Sequence, residues 1–396
     1  MWSPFRELGD AVAREWRAHD FGEDAFVGIA VRRLSEAACL DEVDALELAA
    51  RAASEPVLPA QTDLDARFGQ PPLTLYSTSR FHMTLLYWLE STTSIHEHAF
   101  QGAFRVLHGS SLHSSWRFDE SARISGRLLL GRTTRLRSEV LAVGDVRPIL
   151  PGARGAHALF HLDQPSATLV VRTRSDPGAQ PQYEYCPPSL SVNPFDEDPS
   201  LTRRLQLLHL LRQEDEKGLR EAVRRSLATD DLVSAVTVLL DVCGLDLDGA
   251  FTEEAIGLVA DRRAEFADPL RAAAREVVRD HRLTALRRRV NSPEARLVLA
   301  LALNGLDRRG SLDAFAARYG ADPVGRMAAG IGDLLSQADG IDPVEPLPEI
   351  LRLLLGGSPA ERVVHDLGGR PEYHPRLIEK ITDILLRSPT LQRLFR

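Results

Sequence analysis

The chain has 396 residues, 44% of them hydrophobic and 26% charged, with a formal net charge of −8. That length accommodates two domains and a further segment, and the negative balance argues against broad affinity for nucleic acid or an anionic membrane. Cys39, Cys186 and Cys243 lie far apart with no CxxC pair, which speaks against a disulfide framework or a zinc knuckle and for a reducing compartment.

The start, "MWSPFRELGD", has no apolar leader, and runs such as "LVLALAL" are too short to cross a bilayer. The expectation is a cytoplasmic chain with no membrane association. Residues 1–70 read as an N-terminal helical segment, because "FRELGDAVAREWRAH" and "SEAACLDEVDALELAARAA" place apolar residues at helical spacing. From about residue 71 to 195 the texture turns to short β-rich runs between Gly and Pro turns, as in "FHMTLLYWL", "GAFRVLHG" and "ATLVVRTR", which suggests a barrel or sandwich. Residues 196–396 read as a helical domain. Asp268-Pro269, Ser292-Pro293, Asp322-Pro323 and Ser358-Pro359 each offer a capping side chain before a proline at a helix start, and Ser358 with Glu361 fits a capping box. No fixed repeat emerges, so an irregular stack or bundle of helices is expected. "SLDAFAARYGADPVGRMAAGIGDLL" has helix-turn-helix texture, but its second helix carries one arginine where a recognition helix needs several base and phosphate contacts. The basic run "RDHRLTALRRRV" reads as a solvated helix face.

Seven of the twelve histidines fall within the β region: His82, His96, His98, His108, His113, His157 and His161. In a strand, positions i and i+2 share a face. If "SIHEHAF" is extended, His96 and His98 therefore project into one space, where two imidazoles need only one or two more ligands to hold a transition metal. His82, on the preceding strand, is the other histidine that this reading lets face inward; His108 and His113 read as solvated or structural. Arg172 and Arg174 sit two apart and share a face; Tyr87 and Trp88 point oppositely, so one of them belongs to the core. Tyr87 and Arg172 are assigned to the substrate pocket. Tyr183, Tyr185 and Cys186 in "QYEYCPP" are expected to pack against the helical domain or to fold over the barrel mouth.

"SIHEHAFQGAFRVLHG" followed by "GDVRPILPGARGAHALFHL" resembles the two motifs of the cupin superfamily. More narrowly, "FHMTLLYWLESTTSIHEHAFQGAFRVLHG" resembles the cysteine dioxygenase branch, the thiol dioxygenases, over about residues 75–175. The resemblance implies an α+β protein built on a cupin-type double-stranded β-helix barrel, with the N-terminal helical segment and a large all-α C-terminal domain outside it. It implies His157 as the third metal ligand beside His96 and His98, and His161, at the position of the second motif's Asn, as a hydrogen-bond partner that orients a ligand. Gly102 and Ala103 stand where ordinary cupins carry a ligating Glu, which leaves three neutral ligands. Arg80 is the candidate for the branch's carboxylate-binding arginine. The implied activity is that of a mononuclear non-heme Fe(II) dioxygenase using O2 on a small chelating, amino-acid-derived or other anionic substrate, with Zn, Mn or Ni as other occupants. The alternatives are a ligand-sensing cupin that signals through the helices, and a non-oxidative metal-dependent isomerase or lyase. The helical domain would cap the barrel, shape the pocket or carry a homodimer interface. The crosslinking cysteine of some branch members and the Ser-His-Tyr chain have no counterpart, so cysteine is a poor fit as substrate.

Overall fold

The computed structural model describes residues 2–55, 57–62, 69–89, 92–174, 181–194, 198–245, 248–339, 345–388 and 391–396. Three helices come first: α1 (Ser3–Ala18), α2 (Glu23–Glu36) and α3 (Ala45–Ser54). Phe5, Leu8, Val12 and Trp16 recur at helical spacing and form the buried stripe of α1. Asp44 starts α3 by accepting hydrogen bonds from the backbone N–H groups of Leu46 and Glu47.

Eleven strands follow among the described residues: β1 (Pro72–Ser77), β2 (Phe81–Trp88), β3 (Ile95–His96), β4 (Gly102–His108), β5 (Ser111–Arg123), β6 (Leu128–Leu141), β7 (Val146–Ile149), β8 (His157–His161), β9 (Ser166–Thr173), β10 (Glu184–Cys186) and β11 (Leu190–Val192). They form a five-stranded sheet in the order β1-β2-β9-β4-β7 and a second group, β10-β11-β6-β5-β8-β3, that closes on itself where β3 pairs with β10. All the pairings between these strands are antiparallel. Gly102 opens β4 where a Cβ would stand 2.0 Å from the Val171 carbonyl oxygen of β9, so no larger residue fits there.

Strand alternation then sorts the side chains. Phe81, Met83, Leu85, Tyr87, Leu169 and Val171 face α1–α3 in one apolar cluster, while Leu86, Phe104, Val106 and Val170 meet Ile149 and Leu141 in the interior between the sheets. On the far side, Leu112, Phe160 and Leu162 face outward into the helices.

The remaining helices are α4 (Pro199–Glu214), α5 (Glu216–Thr229), α6 (Leu232–Cys243), α7 (Gly249–Ala260), α8 (Ala267–Leu286), α9 (Pro293–Leu303), α10 (Arg308–Tyr319), α11 (Pro323–Asp339), α12 (Leu347–Leu355), α13 (Ala360–Gly368) and α14 (Pro375–Arg387). The molecule is thus a mixed α+β protein. One apolar cluster joins α4–α8 to Leu128, Leu130 and Leu190 of the closed strand group; another joins α9–α14 to Leu112 and Phe160. No helix among the described residues is long and apolar enough to cross a membrane.

Two of the four expected helix starts form and two do not. Ser292 caps α9 by accepting from Ala295 N–H, and Asp322 accepts from Gly325 N–H at the start of α11. The Ser358–Glu361 capping box does not form: α13 begins one residue later, with Pro359 at the cap position and no side-chain cap bond. Asp268-Pro269 lies inside α8, which begins at Ala267; a proline is tolerated there because the first turn's N–H groups have no intrahelical acceptor. The second helix of the helix-turn-helix stretch, α11, buries Met327, Ala328, Ile331 and Leu334 in the core, so those residues are not available to a groove. The basic run is not wholly solvated either. Arg287, 4% exposed, lies under the helices with its guanidinium 4.3 Å over the Phe160 ring, donating to the His161 carbonyl oxygen (2.7 Å) and to Thr92 Oγ1.

Candidate metal centre

The backbone delivers three imidazoles to one place. β3 is a two-residue strand, and its His96 sits opposite His157, the first residue of β8. Cross-strand neighbours of this kind hold their Cβ atoms about 5 Å apart. His98 forms an isolated parallel bridge with Pro151, and its carbonyl oxygen accepts from Gly152 N–H at 2.9 Å. Gly152 makes this contact at φ +63°, a left-handed conformation that glycine adopts without a Cβ clash. The Pro-Gly of the second motif is therefore docked on the second histidine of the first, which is how side chains 59 residues apart in sequence come to face each other.

His98 Nε2 and His157 Nε2 lie 3.0 Å apart. The ring centroids are 4.7 Å apart for His96–His98, 4.9 Å for His96–His157 and 5.0 Å for His98–His157. One ligand atom from each of the three lies within 4.8 Å of the others, all three residues are buried, and among the described residues no carboxylate joins the group. Two nitrogens 3.0 Å apart are both within reach of one ion at metal–nitrogen distances of about 2.1 Å. The donor set suits a cation for a second reason. His96 Nδ1 lies 2.9 Å from the Ser94 carbonyl oxygen, so that nitrogen carries the proton and Nε2 keeps its lone pair. The three buried imidazoles fit a site for one metal ion.

Burial disfavours the charged forms. It lowers the pKa of His96 to about 4 and holds His98 and His157 well below the ordinary histidine value, with the neighbouring rings adding to the effect in both. Neutral imidazoles are the ligating form. For the metal-free protein the sign follows from linkage. Between pH 6.5 and about 4 the unfolded chain takes up a proton at His96 that the folded chain refuses, so stability falls as pH falls through that window. His96 alone accounts for about 3 kcal/mol of this loss, and urea midpoints measured from pH 7 to pH 4.5 check it.

The other assigned residues separate into those that reach this place and those that do not. Arg172 reaches it. Its guanidinium lies 4.2 Å over the Phe100 ring, which in turn lies 4.4 Å from His98, and its Nε donates to His82 Nε2 at 2.9 Å. His82 accordingly faces inward. Tyr87 does not reach it: alternation along β2 turns it to the opposite face, where its hydroxyl donates to the Ala45 carbonyl oxygen at 2.7 Å. Arg80 lies exposed in the β1–β2 turn, its guanidinium 4.1 Å over the Phe21 ring. Arg174 is exposed and donates to Thr78 O and Ser77 Oγ of the same turn. His161 shares the inward face of β8 with His157 but lies four residues along, about 13 Å at strand rise. It stacks on Trp88 at 4.2 Å and its Nδ1 lies 2.8 Å from Ser166 Oγ, so it orients no ligand of this group.

Glu97, between the two ligand histidines, points the other way. Its buried carboxyl accepts from the Tyr185 hydroxyl and from Tyr183 N–H (3.3 Å), and burial raises its pKa. Cys186 packs toward the helices, whereas Tyr183 and Tyr185 belong to a small cluster with Ile95 and Trp116. His113, read from sequence as solvated or structural, proves to be buried on the inward face of β5 with its Nε2 3.1 Å from His157 Nδ1. Its spacing of two from Ser111 and Ser115 was the available signal, but strand parity alone does not say which face is inside.

No protein-family description matches this chain, and no curated protein sequence does. Among solved structures, a chain from crystal structures of DMSP lyases is 19% identical, with the match spanning 46% of this chain and 94% of that one at a TM-score of 0.25. At that score the two share too little geometry for the match to bear on fold or reaction.

Proposed function

We propose that this chain is a metal-dependent cupin enzyme, with a double-stranded β-helix barrel over residues 71–195. Its reaction is that of a mononuclear Fe(II) oxygenase acting with O2 on a small anionic, chelating substrate. The observation that carries the reading is the buried group of His96, His98 and His157 with no carboxylate among the described residues beside it. A divalent ion held by three neutral ligands keeps its full charge and open positions, and so supplies Lewis acidity and places for exogenous ligands.

The chain's own residues do the rest. Arg172 presents a cation on the same side as His98, suited to pairing with a substrate carboxylate, and the His82 contact limits the guanidinium's freedom. Phe100 and Phe104 place apolar rings beside the imidazoles and keep water from the reacting atoms. The helical domain of residues 196–396 closes one side of the strands through Phe160 and Arg287 and would shape access to the interior.

The test is oxygen uptake by protein loaded anaerobically with Fe(II), across a panel of small amino, thiol and hydroxy carboxylates. Uptake that depends on one of them, with Arg172→Met raising KM at least about tenfold and changing kcat less, supports the assignment. Metal at one ion per chain with substrate turnover but no uptake would replace the oxygenase by an isomerase or lyase. A chain that binds no metal would sink both.

A further inference from the structure

His157 is held by a side-chain arm that runs through His113 to Glu139. β8, β5 and β6 are successive neighbours, and the inward positions Ser115↔His157, His113↔Leu159 and His113↔Glu139 place the three side chains in line. His157 Nδ1 lies 3.1 Å from His113 Nε2, and His113 Nδ1 lies 3.5 Å from Glu139 Oε1. Glu139 is in turn fixed by a two-point pairing with Arg147, whose Nε and Nη2 each donate at 2.8 Å, and by Arg137 Nη2 at 2.9 Å.

We propose that His113 and Glu139 are positioning residues that set the tautomer and aim of His157 at the metal site. This assignment rests on the metal-binding reading above. An ionised carboxylate only accepts, so the His113 proton sits on Nδ1, facing Glu139. His113 Nε2 is then a lone pair and accepts the Nδ1 proton of His157, which leaves His157 Nε2 bare and directed at His98 Nε2. Each step has one consistent proton placement, and every step starts from the carboxylate. The other two ligands are held differently. His96 leans on the Ser94 backbone, and His98 Nδ1 has no hydrogen-bond partner among the described residues. For His157, two side chains in series control the orientation.

Cobalt(II) titration of the full chain, read both as affinity and as the visible d–d spectrum, tests the assignment. Glu139→Gln and His113→Leu are expected to weaken cobalt binding 10–100-fold, the usual cost of losing an outer partner of a ligand histidine, and to shift the bands. His113→Gln keeps an acceptor for the His157 proton and is expected to stay within about threefold of wild type. A merely structural role would lower the melting temperature of these variants and leave the spectrum of the loaded protein unchanged. Glu139→Gln with wild-type affinity and spectrum would overturn the assignment while leaving the metal site standing. Wild-type protein that takes up no cobalt would overturn both. If the leucine variant does not fold, the comparison of Glu139→Gln with His113→Gln decides.

Discussion

Alanine in place of His98 should reduce bound metal from near one ion per chain to less than about a tenth, with the fold retained. Open catalytic sites keep three protein ligands, and without His98 only two imidazoles remain, with no carboxylate among the described residues to replace it. His98 is also the ligand whose loss does least to the scaffold. Its Nδ1 makes no hydrogen bond among the described residues, and its carbonyl, which carries the Gly152 contact, survives the substitution. His157→Ala should cost the same metal but would also strand His113 Nε2. In the wild-type chain, metal at a hundred times its Kd should stabilise the fold by about 2.7 kcal/mol. That increment should vanish in His98→Ala. Elemental analysis after gel filtration and paired thermal melts, with and without metal, check both halves. A variant that keeps its metal would remove His98 from the ligand set.

Arg287→Met should lower stability by about 3 kcal/mol, a large change for one residue outside the metal centre. The guanidinium is buried between α8 and the strands. It donates to the His161 carbonyl oxygen at 2.7 Å and to Thr92 Oγ1, and it lies over the Phe160 ring. Methionine fills much of the volume but donates nothing, which leaves a carbonyl at the end of β8 without this donor in an interior that water does not reach. Charged hydrogen bonds are worth roughly 1.5–3 kcal/mol each, and a cation over a buried ring adds about 1–2 kcal/mol, part of which methionine packing returns. Because Arg287 links the helices to the strands, the loss should appear in the urea transition reported by both. A stability within about 0.5 kcal/mol of wild type would mean that the Arg287 contacts contribute little to holding the helical region on the strands.

The convergence of the three histidines was legible in sequence because its signal is a parity. Histidines at i and i+2 share a face in any strand, and the second motif's Pro-Gly marks where the distant histidine enters. Tyr87 was not legible for the same reason turned round. "FHMTLLYW" is apolar at nearly every position, since β2 is covered by α1–α3 on one face and by the interior on the other, so alternation gives no sign of which side is which. Arg80 failed because a position in a turn has no fixed side, and the chain's path carried it toward Phe21. Arg287 was misjudged by composition, and of the two readings left open for His113, solvated or structural, only the second fits its burial. A polar side chain on a strand or in a basic run reads as solvated until the partners that bury it are placed, and those partners, Glu139, His157 and the His161 carbonyl, come from other elements.

The Glu97–Tyr185 contact has a bearing on chemistry that it never touches. β3 holds only two residues, so the ladder itself does little to choose among registers. A slip by one position would swing both imidazoles outward and turn the carboxylate in, exchanging a neutral nitrogen lining for an anionic oxygen one. What holds the odd-numbered residue out is the Tyr185 hydroxyl, together with the paired backbone of Tyr183 and Glu97 (3.1 Å). A phenol on a neighbouring strand thus acts as a key that decides which element, nitrogen or oxygen, this end of the strands turns inward.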